Sequence, residues 1–316
     1  MGLPVNGSWV SGAVAVEVAT GAQVPTGTDS VLPYEHGVIA GDELVGDALP
    51  GRHVRRTGEE CAARTAVLPA GTALTPAAIG LAAALGHDTL TVHPQPRVHA
   101  LVTGDELLRQ GLPCDGRIRD AVGPLLPGTI AAYGGLLAAL AHLGDDPDLL
   151  GKAVSAASAD VVVTTGASSV GRADFLPVVL RELRAELLVE GIDVKPGHPT
   201  TLARLPGGAF LVGLPGNPLA ALAGAVTVLA PLLAALGGRP MPPLATGRLT
   251  EAVTAALASV RLVPVVVREG AVRPTGHGGS AMLRGAAVAD AFAVVPPGQD
   301  LPAGAVVDLI GLPGAI

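Results

Sequence analysis

Between Arg97 and about Gly238 the chain alternates short apolar runs with longer stretches of helical pattern, and this alternation constrains the fold more than any other feature. Such a pattern reads as parallel strands joined by crossover helices. The expected strands are RVHALVT, a run near GLLAALAHL, DVVVTT, LLVEGIDV and AFLVGL. Between them, DDPDLLGKAVSAAS opens with aspartates ahead of a proline. That order suits a helix N-terminus, because Asp accepts free amides and Pro has none to leave unpaired. In DVVVTTGASSVGRADF a strand gives way to a turn of small residues and then to a helix expected to be capped by Asp174, with Pro177 in its first turn. Strands of such a sheet deliver their carboxyl-end loops to one edge. TGDE, TTGASSVG, KPGHP and GLPGNP are therefore expected to converge around a ligand crevice.

The flanks read differently. Residues 1–58 carry short alternating segments, AVAVEVATG and DSVLPYEHGVIAGDEL, divided by Gly and Pro turns, the pattern of a small β region. Residues 59–95 form a linking segment with a helix at TPAAIGLAAALG, capped by Thr75, opened by Pro76 and ended at Gly86. The α/β domain occupies 96–240. After GGRPMPPLATG, residues 241–316 return to short β segments, VRLVPVVVREGAVRP, AFAVVPPG and AVVDLIG, around one helical stretch at GGSAMLRGAAVAD. The fold class is α/β: a central, doubly wound, three-layer domain with a partial N-terminal β region and a small C-terminal β domain.

Composition removes several function classes. The 316 residues are 49% hydrophobic and 15% charged, enough for more than one core, yet include only one Trp, two Tyr and three Phe. The core must be built from Ala, Val and Leu, and bases have almost no aromatic platform to stack on. A formal charge of −7 opposes a phosphate backbone as well. No nucleic-acid partner is expected. Cys61 and Cys114 are far apart and form no CxxC pair; they read as ordinary thiols of a reducing cytosol. MGLPVNGSWVSG has no basic region ahead of an apolar run, so no signal peptide is visible. The uncharged run Leu219 to Leu236 is long enough to span a bilayer, but it is Ala-rich, interrupted by Pro231 and lacks an aromatic belt. It reads as a helix buried between a sheet and another domain, with no membrane partner and a cytoplasmic location.

The loops carry the candidate chemistry. Gly166, Ser168, Ser169 and Gly171 supply backbone amides that can approach an anion at a helix start, without the GK[ST] ending of a nucleotide P-loop or the GxGxxG spacing of a dinucleotide fold; a tight turn without ligand has the same sequence. Asp105 and Glu106 in TGDEL, with Asp120 in RIRDAV, fit a shared magnesium ion or equally a set of exposed loop acids. KPGHP offers Lys195 and His198 between Pro196 and Pro199, an oxyanion loop or a solvated turn. In GLPGNP, Pro215, Gly216 and Asn217 shape a rigid approach to a ligand or a sharp corner. There is no GxSxG and no HExxH, so the expected chemistry is the positioning of anions and a divalent ion.

Taken in order, ATGAQVPTGTDSVLPYE, RRTGEECAARTAVLPAGTALTPAAIGLAAALG, PRVHALVTGDELL, DVVVTTGASSVGRADF, VKPGHPTTLARL, FLVGLPGNPLAAL and TGHGGSAMLRGAAVADAFAVVPPG resemble the MoeA/gephyrin family of molybdopterin molybdenumtransferases over nearly the whole chain. The resemblance implies a MogA-like, molybdopterin-binding central domain. It also implies insertion of molybdate into molybdopterin-AMP, with Mg2+, hydrolysis of the adenylate and release of AMP. A cytosolic homodimer is implied, as is a molybdopterin adenylyltransferase as partner. By position, Thr20, Asp105, Glu106, Asp120 and Asp174 match family active-site residues. Lys195, Pro196 and Pro199 match the loop associated with molybdate. The alternative is a protein that binds molybdopterin without catalysing insertion.

Departures from the family pattern are local. The usual KPGKP is KPGHP, which exchanges a fixed charge at position 198 for an imidazole. GGVSVG is GASSVG, with a Cβ at Ala167; the Asn of YDxN is Val122, with Arg119 in place of its Tyr; the serine after PGNPV is Ala220; and the Asp of GED is Glu60. Family members also begin upstream with a helical dimerisation segment and a DNSAMDGYA-like motif, so the chain is expected to start partway into the second family domain.

Overall fold

The computed structural model describes residues 6–10, 14–166, 175–241 and 243–314. The chain divides into two units, Met1–Thr72 and Ala73–Ile316. In the first, β1 (Asn6–Val10) lies between β2 (Val14–Val18) and β3 (Thr28–Pro33) and pairs antiparallel with both. β4 (Gly37–Ala40) and β5 (Glu43–Gly46) form a hairpin. Val31 and Leu32 of β3 are buried. Thr20 lies in the turn after β2.

The second unit opens with α1 (Pro76–Ala84), where the Thr75 hydroxyl accepts the Ala78 N–H and Pro76 sits in the first turn, as the sequence predicts. Next come β6 (Arg97–Thr103), the two-residue strands β7 (Leu107–Leu108) and β8 (Ile118–Arg119), α2 (Val122–Ala132) and β9 (Leu136–Leu143). α3 (Pro147–Ala156) follows, with the Asp146 carboxylate accepting the Asp148 and Leu149 N–H groups. β10 (Val161–Thr165), α4 (Leu176–Glu182), β11 (Glu186–Glu190), β12 (Val194–Lys195), β13 (Thr201–Arg204) and β14 (Phe210–Leu214) complete the sheet region. The central sheet has the order β11-β13-β14-β10-β6-β9.

Alternate residues of this sheet serve two cores, as the period of two in a strand requires. Val161 and Val163 of β10 join Val98, Ala100 and Val212 beneath α2. Val162, Leu101 and Leu211 face α3 and α4 on the opposite side. The polyvaline strand is buried on both faces because it is the middle of three layers.

Three expectations about the central domain need correction. The sheet is not wholly parallel: β13 runs antiparallel to both β14 and β11. The β13–β14 connection is the tight turn at Pro206-Gly207-Gly208, closed by Leu205 N–H to Ala209 O at 2.8 Å and Gly208 N–H to Leu205 O at 2.9 Å. A turn this short cannot house a crossover helix, so the strands must be antiparallel. LLVEGIDV is also not one strand; it breaks at Gly191, and β12 leaves the central sheet. Helix α4 is capped at Phe175, without a side-chain bond, rather than at Asp174. Phe175 is itself buried in the α3–α4 core, which fixes the helix start there.

The apolar run folds as α5 (Pro218–Gly224), a π-turn over Ala225–Leu229, and α6 (Ala230–Leu236). Pro231 does not end it. Its ring would collide with a carbonyl one α-turn earlier, and the π-turn relieves this by sending the Ala230 N–H to Ala225 O. By length and composition Pro218–Leu236 could cross a membrane, but 67% of its apolar window is buried inside the protein. Leu229 and Leu233 pack into the sheet core, whereas Leu219, Leu222 and Val226 pack against Leu262, Phe292 and Leu312 of the C-terminal domain.

That domain contains β15 (Ala245–Leu249), β16 (Val260–Arg268), β17 (Ala271–Pro274), β18 (Ala291–Val295) and β19 (Val306–Gly311). They pair β16-β17-β15-β19-β18 and close back on β16. This closed barrel has its own core of Leu249, Val265, Val272, Ala293 and Val307, and β12 adds to it alongside β16. The helix expected at GGSAMLRGAAVAD contracts to one 3-10 turn, Ala286–Val288. Its glycines disfavour a helix, and the Ser280 carbonyl is drawn away to cap α5.

Candidate functional site

The carboxyl ends of β6, β10 and β14 meet at one edge of the central sheet. The Thr103 hydroxyl, at the end of β6, donates to Thr165 O at 2.7 Å. Gly166 N–H donates to Leu214 O at 3.3 Å. Backbone then touches backbone: a Cβ on Gly166, at φ +96°, would lie 2.5 Å from Thr103 O, and one on Gly216 would lie 3.3 Å from the Gly166 Cα. Only glycine permits this approach at position 166. Of the expected site residues, Gly166, Pro215 and Gly216 are thus brought together beside Thr103, which the half-buried Gly104 and the exposed Asp105 and Glu106 follow in the chain. Ser168, Ser169, Gly171 and Asp174, with Ala167, lie outside the described residues.

Asp105 and Asp145 exchange bonds: Asp105 N–H donates to Asp145 Oδ2 at 3.2 Å, and Asp145 N–H to Asp105 Oδ1 at 3.3 Å. The loop after β9 therefore orients TGDE, a role the sequence reading missed because it assigned both aspartates of DDP to the α3 cap. Only Asp146 has that task.

Asp120 is buried and fully engaged. Its Oδ1 accepts the Val122 and Gly123 N–H groups at 3.0 and 2.9 Å, capping α2, and its Oδ2 pairs with His142 Nε2 at 2.9 Å. Carboxylate oxygens only accept, so His142 Nε2 carries the hydrogen. Among the described residues no group of three or more His, Cys, Asp or Glu gathers in metal-holding geometry. Asp105 and Glu106, exposed and rich in hard oxygen donors, fit magnesium, which usually takes one or two carboxylates and fills its shell with water and phosphate. Asp120 is the less accessible acid: it is buried, and its oxygens already accept the N–H groups of Val122, Gly123 and His142.

KPGHP reaches the same sheet edge by an unexpected route. It connects the carboxyl end of β11, through β12, to the amino end of β13, and β13 is antiparallel, with Thr201 level with Gly213 near the end of β14. Lys195 and His198 are exposed, Pro199 is half-buried, and Pro196 and Gly197 are buried. The Thr200 hydroxyl donates to Gly197 O at 2.7 Å, and Gly197 packs against Ala220 and Ala223 of α5. His198 is tied by Nδ1 to Ile192 O at 2.7 Å.

Asn217 occupies the N-cap of α5 without a side-chain cap bond. The free amides of Leu219 and Ala220 instead donate to Ser280 O, at 2.9 and 3.2 Å. The barrel's loop thus closes the start of α5. Thr20 belongs to the first unit; every other described candidate is in the second.

Comparison with known proteins matches this architecture along the chain. A family model described as "Probable molybdopterin binding domain" matches residues 99–235, one described as "MoeA N-terminal region (domain I and II)" matches 4–86, and one described as "MoeA C-terminal region (domain IV)" matches 246–312. Molybdopterin molybdenumtransferase 2 of Mycobacterium tuberculosis is 34% identical over 238 residues, 72% of this chain and 58% of the relative. Molybdopterin molybdenumtransferase of Staphylococcus aureus is 31% identical over 308 residues, 94% of this chain and 73% of the relative. This chain thus spans 58% of the length of the first of these relatives and 73% of the second. A crystal structure of a molybdopterin biosynthesis MoeA protein from Pyrococcus horikoshii superimposes with a TM-score of 0.75 at 26% identity, covering 94% of this chain and 75% of that one. With three successive family models in register and relatives of this identity along its length, the chain belongs to the MoeA family.

Proposed function

We propose that the chain acts in molybdenum cofactor biosynthesis by inserting molybdate into molybdopterin-AMP. Water splits the phosphoanhydride of the adenylate, AMP leaves, and the pterin retains its own phosphate. The observation that carries this reading is the backbone contact among the Thr103, Gly166 and Gly216 loops, with the exposed carboxylates of Asp105 and Glu106 following Thr103 in sequence, in a chain of this family.

The roles divide by loop. Gly166, Ser168, Ser169 and Gly171, with Pro215, Gly216 and Asn217, take the pterin phosphate and the adenylate. Lys195 contributes a point charge to molybdate, flanked by Pro196, His198 and Pro199. Asp105, Glu106 and Asp174 act at the phosphoanhydride, where Asp105 and Glu106 hold magnesium. Bound there, the ion neutralises phosphate charge. The active form is a cytoplasmic homodimer, supplied by a molybdopterin adenylyltransferase.

The decisive experiment incubates purified protein with molybdopterin-AMP, molybdate and magnesium and measures AMP and active cofactor. AMP no higher than in a protein-free control overturns the enzymatic reading. The second reading, a molybdopterin-binding protein without insertion activity, is favoured by the commitment of Asp120 to α2 and His142. Pterin retained on the protein without AMP release would establish it.

A further inference from the structure

His198 stands in a closed exchange with the start of its own loop. Its Nδ1 lies 2.7 Å from Ile192 O, while Ile192 N–H donates to His198 O at 2.9 Å. A carbonyl oxygen only accepts, so Nδ1 must carry the hydrogen, and the contact fixes both the orientation and the tautomer of the ring. Nε2 has no hydrogen-bond partner among the described residues, and the residue is exposed. A neutral ring held this way presents a lone pair at Nε2, which repels an oxyanion. The charged ring presents an N–H there instead. Lysine would offer its donors at any pH near neutrality.

Several charged groups belong to the elements packed on the loop. Glu190 ends β11, Asp193 and Lys195 lie in and before β12, and Arg261 of β16 is level with Lys195 across the strand pair. On the other side, α5 carries no ionisable side chain. Among these cationic side chains only His198 is an imidazole.

We infer that His198 makes this loop a proton-dependent oxyanion subsite, binding a tetrahedral dianion through Nε2–H of the imidazolium beside the fixed charge of Lys195. The inference rests on the oxyanion reading of the loop given under Proposed function. It predicts a binding step that strengthens as pH falls, where a lysine at the same position gives a flat response.

The test is calorimetric titration of the whole chain with molybdate, tungstate and sulfate at constant ionic strength, from about pH 5.5 to about pH 8.5, the range in which imidazoles titrate. For the wild type, the dissociation constant is expected to rise on the order of tenfold across this range, the scale of one charge-assisted hydrogen bond. His198→Lys is expected to bind tightly with no such rise. His198→Asn, which keeps a donor where Nδ1 meets Ile192 O and places nothing at Nε2, should bind weakly and also without a rise. Measurable wild-type binding that is flat with pH, or a rise that persists in His198→Asn, overturns the inference and leaves the proposed function standing. Absence of binding in the wild type and in His198→Lys at every pH overturns the oxyanion reading of the loop, and the inference with it.

Discussion

Asp105 and Asp145 hold one another across the ends of two neighbouring parallel strands, each carboxylate accepting the other's backbone N–H. The TGDE turn is therefore oriented by a residue forty positions away. Asp145→Ala is expected to cost about 1 kcal/mol of stability by leaving the Asp105 N–H to water, while the Asp145 N–H keeps its bond to Asp105 Oδ1. It should also lower AMP release by about tenfold, the usual scale for losing a group that orients a ligand-binding carboxylate. Asp145→Asn, which retains an acceptor, should recover most of both. Chemical denaturation and the AMP assay measure the two effects separately.

Asp120 and His142 make a stability prediction. Asp120→Ala removes the acceptor for two α2 amides and the partner of a half-buried imidazole N–H, for an expected loss of about 2–3 kcal/mol. His142→Ala should cost less, because the cap on α2 survives. A double-mutant cycle followed by urea unfolding should give a coupling energy of about 1 kcal/mol or more. Additivity would show that the two side chains act independently.

Gly166→Ala sets a methyl group against the Thr103 carbonyl and imposes a left-handed backbone on alanine. The expected destabilisation is about 2–4 kcal/mol, with loss of pterin binding as the three loops separate. Gly128→Ala is the control: it lies on the exposed side of α2 with nothing within 4 Å of the added Cβ, and should stabilise by about 0.5–1 kcal/mol. Thermal unfolding that moves both variants in the same direction would contradict this assignment.

Burial pushes the Tyr133 phenol up to about 12 from its ordinary 10.0. The folded state therefore keeps a proton that the unfolded state has lost, and stability falls as pH rises above the unfolded value toward the folded one. The contribution is fully present below about pH 10. Tyr133→Phe should reduce the alkaline loss of stability by about 1 kcal/mol, allowing for partial solvent screening of a half-buried group. Tyr34 is present in both proteins, so the difference reports Tyr133 alone. The cost at neutral pH should be small, since among the described residues the bond removed is the 3.3 Å contact to Gly311 O.

Local chemistry made much of the fold legible. Thr75 and Asp146 cap the helices they precede, and the strands at Arg97–Thr103, Val161–Thr165 and Phe210–Leu214 occupy the expected apolar runs. The reading failed where partners are distant or a turn dictates direction. LPGG enforces the antiparallel β13, but its signal is weaker than the helical alternation around it. Asp120 could be recognised as a functional-looking acid, yet its partner His142 lies across β9 and has no motif. Ser280 acts through its carbonyl, which carries no sequence signature at all. Conversely, the meeting of Gly166 and Gly216 was legible because strand-end loops in such a sheet share one edge.

The helix from Pro218 to Leu236 serves two masters: one flank completes the sheet core, the other completes the interior shared with the barrel, and Ser280 closes its first turn. Cutting the chain near Gly238 would strip the barrel from Leu219, Leu222 and Val226 and leave two amides open. The central domain and the barrel are consequently expected to be stable only together. A barrel transplanted from a relative will be accepted only if it brings residues that match the positions of Leu262, Phe292 and Leu312, so compatibility between homologous halves is decided along one helix rather than at the strand-end loops.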